Sequence, residues 1–361
     1  MTSRISFKRK LLYLALVLIA LVVLAEVGFR LLAPTLGVPV GPMKMLRDYA
    51  ILGHEPRYAP HPFMVYTLNP EKPGHNSLGF RGREFLVKKP PGALRVACLG
   101  SSTTYCSRVK DKETYPAFLE GLLAGQGNAK AEVMNFGVPG WNTAETMINY
   151  FLNVQDYDPD AVIICHAVND FAARRSNYRS DYYHIRKSWQ QEPAGFIRRL
   201  LLRSSDIYTY INYYLTMNNL GIEALVTRSD GPPSTRDLSP RTSVAFRRNI
   251  RTVSEHAKRN GALVVLVTMP YNTAQSKEWP ERIEALTQHN RILREIAAEL
   301  DVLLVDLEAL WLADPARHEP LFYDLVHTIP EGNLLKAETI AKAMRAWEER
   351  GANAPPSRES D

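Results

Sequence analysis

Cysteine is scarce in this chain. Three occur in 361 residues, Cys98, Cys106 and Cys165, and an odd number cannot all pair within one chain. No Cys-x-x-Cys and no Cys/His cluster is present, so nothing supports a metal site. Cys98 and Cys165 fall in apolar runs, where a thiol serves as a small buried hydrophobe. A concentrated basic run is also missing. The net charge is +6, but the Lys and Arg residues are dispersed, whereas a nucleic-acid module carries a basic stripe or a recognisable motif. No internal repeat is visible, which leaves out repeat architectures. With 45% hydrophobic and 23% charged residues the composition is that of an ordinary globular protein. The length suits one large domain or two ordinary ones.

One long apolar run is present. Leu11 to Ala25 is apolar apart from Tyr13, and the run continues through Val27, Gly28, Phe29, Leu31, Leu32 and Ala33 to Pro34. About 20 helical residues cross a bilayer core. Glu26 and Arg30 interrupt its far end at i,i+4 spacing, where they can pair or snorkel. Arg4, Lys8, Arg9 and Lys10 precede the run. The positive-inside rule then places residues 1–10 in the cytoplasm, an anchor at 11–34 in the membrane and the remainder on the far side. A cleaved signal peptide is the rival, with Val23-Leu24-Ala25 a passable cleavage site. Both readings export the rest of the chain.

Residues 35–92 are rich in Pro, Gly and His and read as an extended lead-in, with an edge hairpin around 63–68. From Leu94 strands alternate with helices. Strands are expected at Leu94–Leu99, Ala131–Phe136, Ala161–Cys165, Ala262–Thr268 and Val302–Val305. Helices are expected at Tyr115–Leu123, Thr143–Val154, Val244–Arg259, Arg282–Leu300 and Leu334–Glu349. That alternation predicts an α/β fold, a three-layer α/β/α sandwich around a parallel sheet spanning 93–349, followed by a polar tail at 350–361. An insertion at about 174–242 interrupts it. The insertion is rich in tyrosine, carries Trp189 and the cluster Arg198, Arg199 and Arg203, and reads as helical over Phe196–Met217. It reads either as a helical insertion packing its own aromatics, or as a cap that lines a cleft or rests on a membrane surface.

Four motifs carry chemistry. Gly100-Ser101-Ser102-Thr103-Thr104 follows the first strand, where an open parallel sheet binds ligands at strand carboxyl ends. Asn135-Phe136-Gly137-Val138-Pro139-Gly140 ends the second strand, and Gly140 permits close backbone approach. Ala167-Val168-Asn169-Asp170 ends the third, where an asparagine amide can aim at the same point. Near the C-terminus, Asp324 stands three residues before His327, within reach of its imidazole. Each motif alone also suits an ordinary turn, or, for the last, a chance pair. Their order places three of them on one rim and returns a base to it.

Together these blocks resemble the SGNH/GDSL hydrolase family across about 240 residues. The resemblance implies a flavodoxin-like fold with Ser102 as nucleophile and Asp324 and His327 as its partners. It also implies an oxyanion hole of the Ser102 amide, Gly140 and Asn169. The lead-in His75-Asn76-Ser77-Leu78-Gly79-Phe80-Arg81-Gly82 is similar to the segment ahead of the domain in exported bacterial members. Two departures occur: the family's Gly-Asp-Ser reads Gly-Ser-Ser, and its Gly-x-Asn-Asp has Ala167 for glycine. An α/β-hydrolase elbow, Gly-x-Ser-x-Gly, fits poorly because Thr104 occupies the second glycine position. The implied activity is ester hydrolysis or acyl transfer on an extracytoplasmic acyl ester, on a small molecule, glycan or lipid. It needs no metal or organic cofactor and no nucleic-acid partner. The alternative is a non-catalytic glycan-binding or scaffold member of an envelope polysaccharide assembly.

Overall fold

The computed structural model describes residues 6–38, 40, 43–44, 47, 57–125, 130–171, 195–217 and 240–352. In chain order these form helix α1 (Phe7–Leu32), strands β1 (Tyr58–His61), β2 (Val65–Leu68) and β3 (Leu94–Gly100), and helices α2 (Ser102–Tyr105) and α3 (Tyr115–Gly125). Strand β4 (Ala131–Gly137), α4 (Thr143–Leu152) and β5 (Ala161–Cys165) follow, then α5 (Phe196–Ser204), α6 (Asp206–Met217) and α7 (Pro240–Arg259). The chain continues through β6 (Leu263–Val267), α8 (Thr273–Ser276), α9 (Pro280–Leu300), β7 (Leu303–Val305), α10 (Leu307–Leu312), α11 (Pro315–His318) and α12 (Pro330–Ala352). They fall into two compact units, Met1–Tyr58 with Ser188–Asp230, and Ala59–Lys187 with Gly231–Asp361.

The second unit is built on a five-stranded parallel sheet of order β4-β3-β5-β6-β7. Each strand begins and ends within a residue of its expected span. Val96, Cys98, Ile163 and Val265 point into one core, which α3 and α12 cover through Leu119 and Ile340. Ala97, Leu99, Ile164 and Leu266 point into the other, covered by α7 and α9 through Phe246 and Leu293. Both faces are buried, so the strands read as continuous apolar runs. Helices α7, α9 and α12 each begin earlier than the apolar periodicity announces, at Pro240, Pro280 and Pro330. Proline suits the first helical turn, where its missing N–H has no partner to lose. The first strand sits between the second and third, so the strand order reverses between β3 and β5, the crevice where such sheets bind ligands.

The lead-in from residue 59 onward is integral to this unit. β1 and β2 pair as a two-stranded sheet, whose first strand lies ahead of the hairpin expected around 63–68. Two buried arginines fasten the segment that leads from it into the sheet. Arg95, at the start of β3, donates to the carbonyls of Leu86, Val87 and Tyr157 and to Glu132. Arg81 donates to the carbonyls of Tyr105 (2.5 Å), Cys106 (2.8 Å) and Val109 (2.6 Å), and pairs with Asp111 at 2.9 Å. Asn76 holds the turn ahead of Arg81 by accepting from the Leu78 and Phe80 amides.

In the first unit α1 is 26 residues long, with a mean hydropathy of 2.7 over its most apolar window, none of which is buried. It is long and apolar enough to cross a membrane, and a signal sequence meets the same description. The helix expected over Phe196–Met217 is instead two helices. They break at Ser205, which turns extended and accepts from the Tyr208 amide. The pair packs on α1. Glu26 accepts from Ser205 Oγ (2.8 Å) and the Asp206 amide (2.6 Å), Arg30 donates to Glu26 (2.9 Å) and the Ser204 carbonyl (2.9 Å), and Phe29 meets Tyr210 at 5.5 Å. Of the insertion's cues, Arg198, Arg199 and Arg203 lie on α5. Tyr178, Tyr182, Tyr183 and Trp189 lie outside the described residues, as does the polar tail from residue 353.

Candidate active site

The turn after β3 is tight because two glycines leave room for it. A Cβ on Gly100 would lie 2.1 Å from Thr104 Oγ1 and 2.6 Å from the Cys165 carbonyl. One on Gly137 would lie 2.2 Å from the Tyr105 amide. With those side chains absent, α2 folds back onto the rim of the sheet and carries Ser102 at its start. Ser101 is fully buried, and its Oγ finds no hydrogen-bond partner among the described residues. Ser102 is partly exposed, and its Oγ stands 2.8 Å from His327 Nε2. The two adjacent serines therefore occupy different environments, and Ser102 is the one in contact with a base.

His327 comes from a loop that closes on itself. The Tyr323 amide donates to the His327 carbonyl (2.8 Å) and the Ile329 amide to the Leu321 carbonyl (2.9 Å), while Leu325 and Val326 are buried in the core. Asp324 accepts from His327 Nδ1 at 2.8 and 3.0 Å, and from the backbone amides of Val326 (3.2 Å) and His327 (3.0 Å). Burial pushes its carboxyl upward. The hydrogen bond and charge of His327 and the two backbone amides outweigh burial and hold it down at about 2. Asp324 is therefore ionised across the neutral range and fixes Nδ1 as the donor, leaving Nε2 to accept from Ser102. Arg108 Nη2 approaches the outer carboxylate oxygen at 3.7 Å.

Asn169 follows β5 and lines the same cleft of about 290 Å³ as Ser102, Asp324 and His327. Its Nδ2 donates to the Trp141 carbonyl at 2.7 Å. Trp141 is held in turn, its Nε1 donating to the Tyr66 carbonyl (3.0 Å) while Tyr66 Oη donates to the Pro139 carbonyl (2.7 Å). Gly140 lies between those two anchored residues with φ +89°, the left-handed region that glycine enters without strain. It is not among the described residues lining the cleft, and it is linked to Asn169 through its neighbour Trp141. Ala167, the departure from the family's glycine, is fully buried, and its carbonyl contacts His289 Nδ1 at 2.7 Å. Its methyl points into packing and does not narrow the cleft. Asp170 accepts from the amide and hydroxyl of Thr143, with the hydroxyl at 2.6 Å, and so fastens the third motif to the start of α4.

The motif reading missed three supports of this rim: Tyr66, Arg81 and Asn333. Asn333 accepts from Thr328 Oγ1 (2.7 Å) and donates to the Glu113 carbonyl (3.1 Å), bracing the end of the histidine loop. Their contacts span long separations in sequence, and only the Asn-Ser-Leu-Gly-Phe-Arg-Gly resemblance pointed at one of them.

The model of the GDSL-like lipase/acylhydrolase family matches residues 98–335, well over half of the chain. The chain belongs to that family. It is a serine ester hydrolase of the SGNH type. Among solved structures it is similar to a lipase/acylhydrolase from Enterococcus faecalis, with 18% identity, 70% of this chain and 95% of the other covered, and a TM-score of 0.46. It is also similar to an acetyl xylan esterase (16% identity, 69% and 98% covered, TM-score 0.44). A third likeness is to a catalytic mutant of an acetylxylan esterase from Geobacillus stearothermophilus (18%, 69% and 93%, 0.43). No curated protein matches the chain.

Proposed function

We propose that Ser102 is the nucleophile of this hydrolase, His327 its general base and Asp324 the residue that orients the imidazole. The observation that carries the reading is the continuous chain Ser102 Oγ–His327–Asp324, with contacts of 2.8 and 2.8 Å. His327 Nε2 takes the Ser102 proton as Oγ attacks the ester carbonyl. The same proton then passes to the departing alkoxide, leaving an acyl-serine and the alcohol. Water, or an acceptor hydroxyl, releases the acyl group with His327 again serving as base. In this reading the Ser102 amide and Asn169 Nδ2 are donors to the oxyanion, each worth about 3–4 kcal/mol in the transition state, and the Gly140 amide is the third donor that the family resemblance implies.

The substrate in this reading is an acyl ester outside the cytoplasm. The support is the apolar α1 with Lys8, Arg9 and Lys10 at its amino end, the charge bias of a cytoplasmic flank. The test of the chemistry is covalent labelling of the full-length protein with a fluorophosphonate probe. Ser102→Ala abolishes labelling and lowers kcat by several orders of magnitude, while Ser101→Ala retains labelling. The reverse pattern would overturn the assignment of the nucleophile.

A further inference from the structure

The cleft has a wall on which ester hydrolysis makes no demand. Trp279, at the N-cap of α9, lines the same cleft as Ser102 and His327, yet is 43% exposed. Its main chain is fixed: its amide donates to the Ser276 carbonyl (3.1 Å), and its carbonyl accepts from the amides of Arg282 (3.0 Å) and Ile283 (3.1 Å). Arg282 lays its guanidinium 4.2 Å from the indole centroid and 5.2 Å from that of Phe171. A cation over an indole is held by the ring quadrupole, so the ring has a fixed neighbour while 43% of its surface remains exposed. A large aromatic left partly exposed in a catalytic cleft and contacted by a cation from the same helix suits a flat ligand.

We propose that Trp279, braced by Arg282, is the stacking platform for a sugar ring, so that this hydrolase acts on acyl groups carried by a carbohydrate. The proposal rests on Ser102 being the nucleophile in the same cleft. A pyranose offers a flat C–H face to an indole and hydroxyl groups at its edge. Gln275 and Arg282 supply polar groups beside the platform. Phe171 and Leu325 supply apolar surface in the same cleft, where a short acyl group would sit. At about 290 Å³ the cleft lies at the small end of the range for ligand sites. That suits a short acyl group with one ring.

The test compares the full-length enzyme on 4-nitrophenyl acetate and on an O-acetylated cellotriose. Wild type hydrolyses both. In Trp279→Ala the ratio of kcat/KM on the trisaccharide to kcat/KM on 4-nitrophenyl acetate falls at least tenfold, chiefly through KM, and Trp279→Tyr restores most of it. An unchanged ratio in Trp279→Ala overturns the platform, as does wild-type activity on 4-nitrophenyl acetate alone. In both cases the Ser102 chemistry stands. Inactivity of wild type on both esters overturns the platform and the hydrolytic reading together.

Discussion

Asn169 commits one amide hydrogen to the Trp141 carbonyl, and an amide nitrogen carries two. The first fixes the rotamer, and the second is available to the cleft. Removing a donor that meets charge only in the transition state lowers kcat without weakening substrate binding. Asn169→Ala should therefore lower kcat by about 10²–10³ with KM nearly unchanged; a change confined to KM in steady-state kinetics would make Asn169 a ground-state contact. Three residues earlier in the chain, His166 is fully buried, and burial pushes its imidazole down to about 3. Its Nε2 meets Thr146 Oγ1 at 2.7 Å. The 3.9 Å approach of Asp170 is no ion pair, because the ring is neutral. The unfolded chain binds a proton at this residue below about pH 6.5, and the folded chain does not until about pH 3. Folding is thus unaffected by His166 above about pH 6.5 and loses stability as the pH falls toward 3, by up to about 1.4 kcal/mol per pH unit. Urea unfolding across that window should show a shallower decline for His166→Gln than for wild type. Equal slopes would mean that the imidazole titrates normally in the folded state. The depressed carboxyl of Asp324 acts lower, between about pH 3.9 and 2.

Among the elements, the segment around Arg81 is the one whose importance least resembles its sequence. One guanidinium holds three carbonyls of the turn that leaves α2, where Cys106 and Arg108 adopt φ of 57° and 75°. Non-glycine residues rarely take such angles. Arg81→Ala should lose about 2–3 kcal/mol in urea unfolding, because the Cys106 carbonyl is buried and the part-buried Tyr105 and Val109 carbonyls lose the same donor. Arg81→Lys should recover only part, since an ammonium cannot reproduce the fork. A loss below about 1 kcal/mol for the alanine variant would show the turn to be self-supporting. The sheet was legible in the sequence because each strand is a short apolar run bounded by turns, and Ser102, Asn169, Asp324 and His327 were legible because they follow such runs or share one loop. The tether formed by Arg81, Arg95 and Tyr66 was not, since a buried arginine and an exposed one look alike until the carbonyls it meets are placed. The break at Ser205 was hidden for a related reason: a serine within an apolar periodicity signals a cap only when its hydroxyl turns to the backbone.

At the scale of the whole molecule the chain visits its helical unit twice, first as α1 and again as α5 and α6. With α1 as an anchor whose basic end is cytoplasmic, an alkaline phosphatase fused after Asp361 should be active in cells, and a fluorescent protein that folds only in the cytoplasm should be dark there. The opposite pair of signals would overturn the proposed export. The double visit also has a consequence in time. Glu26 and the Asp206 amide that it accepts from are 180 residues apart. At about 5–20 residues per second, ribosomal synthesis separates them by roughly 9 to 36 s. During that interval Arg30, one turn along the same helix, is already present to neutralise the carboxylate. Of the partners that the carboxylate has in the folded chain, this arginine is the first to be synthesised.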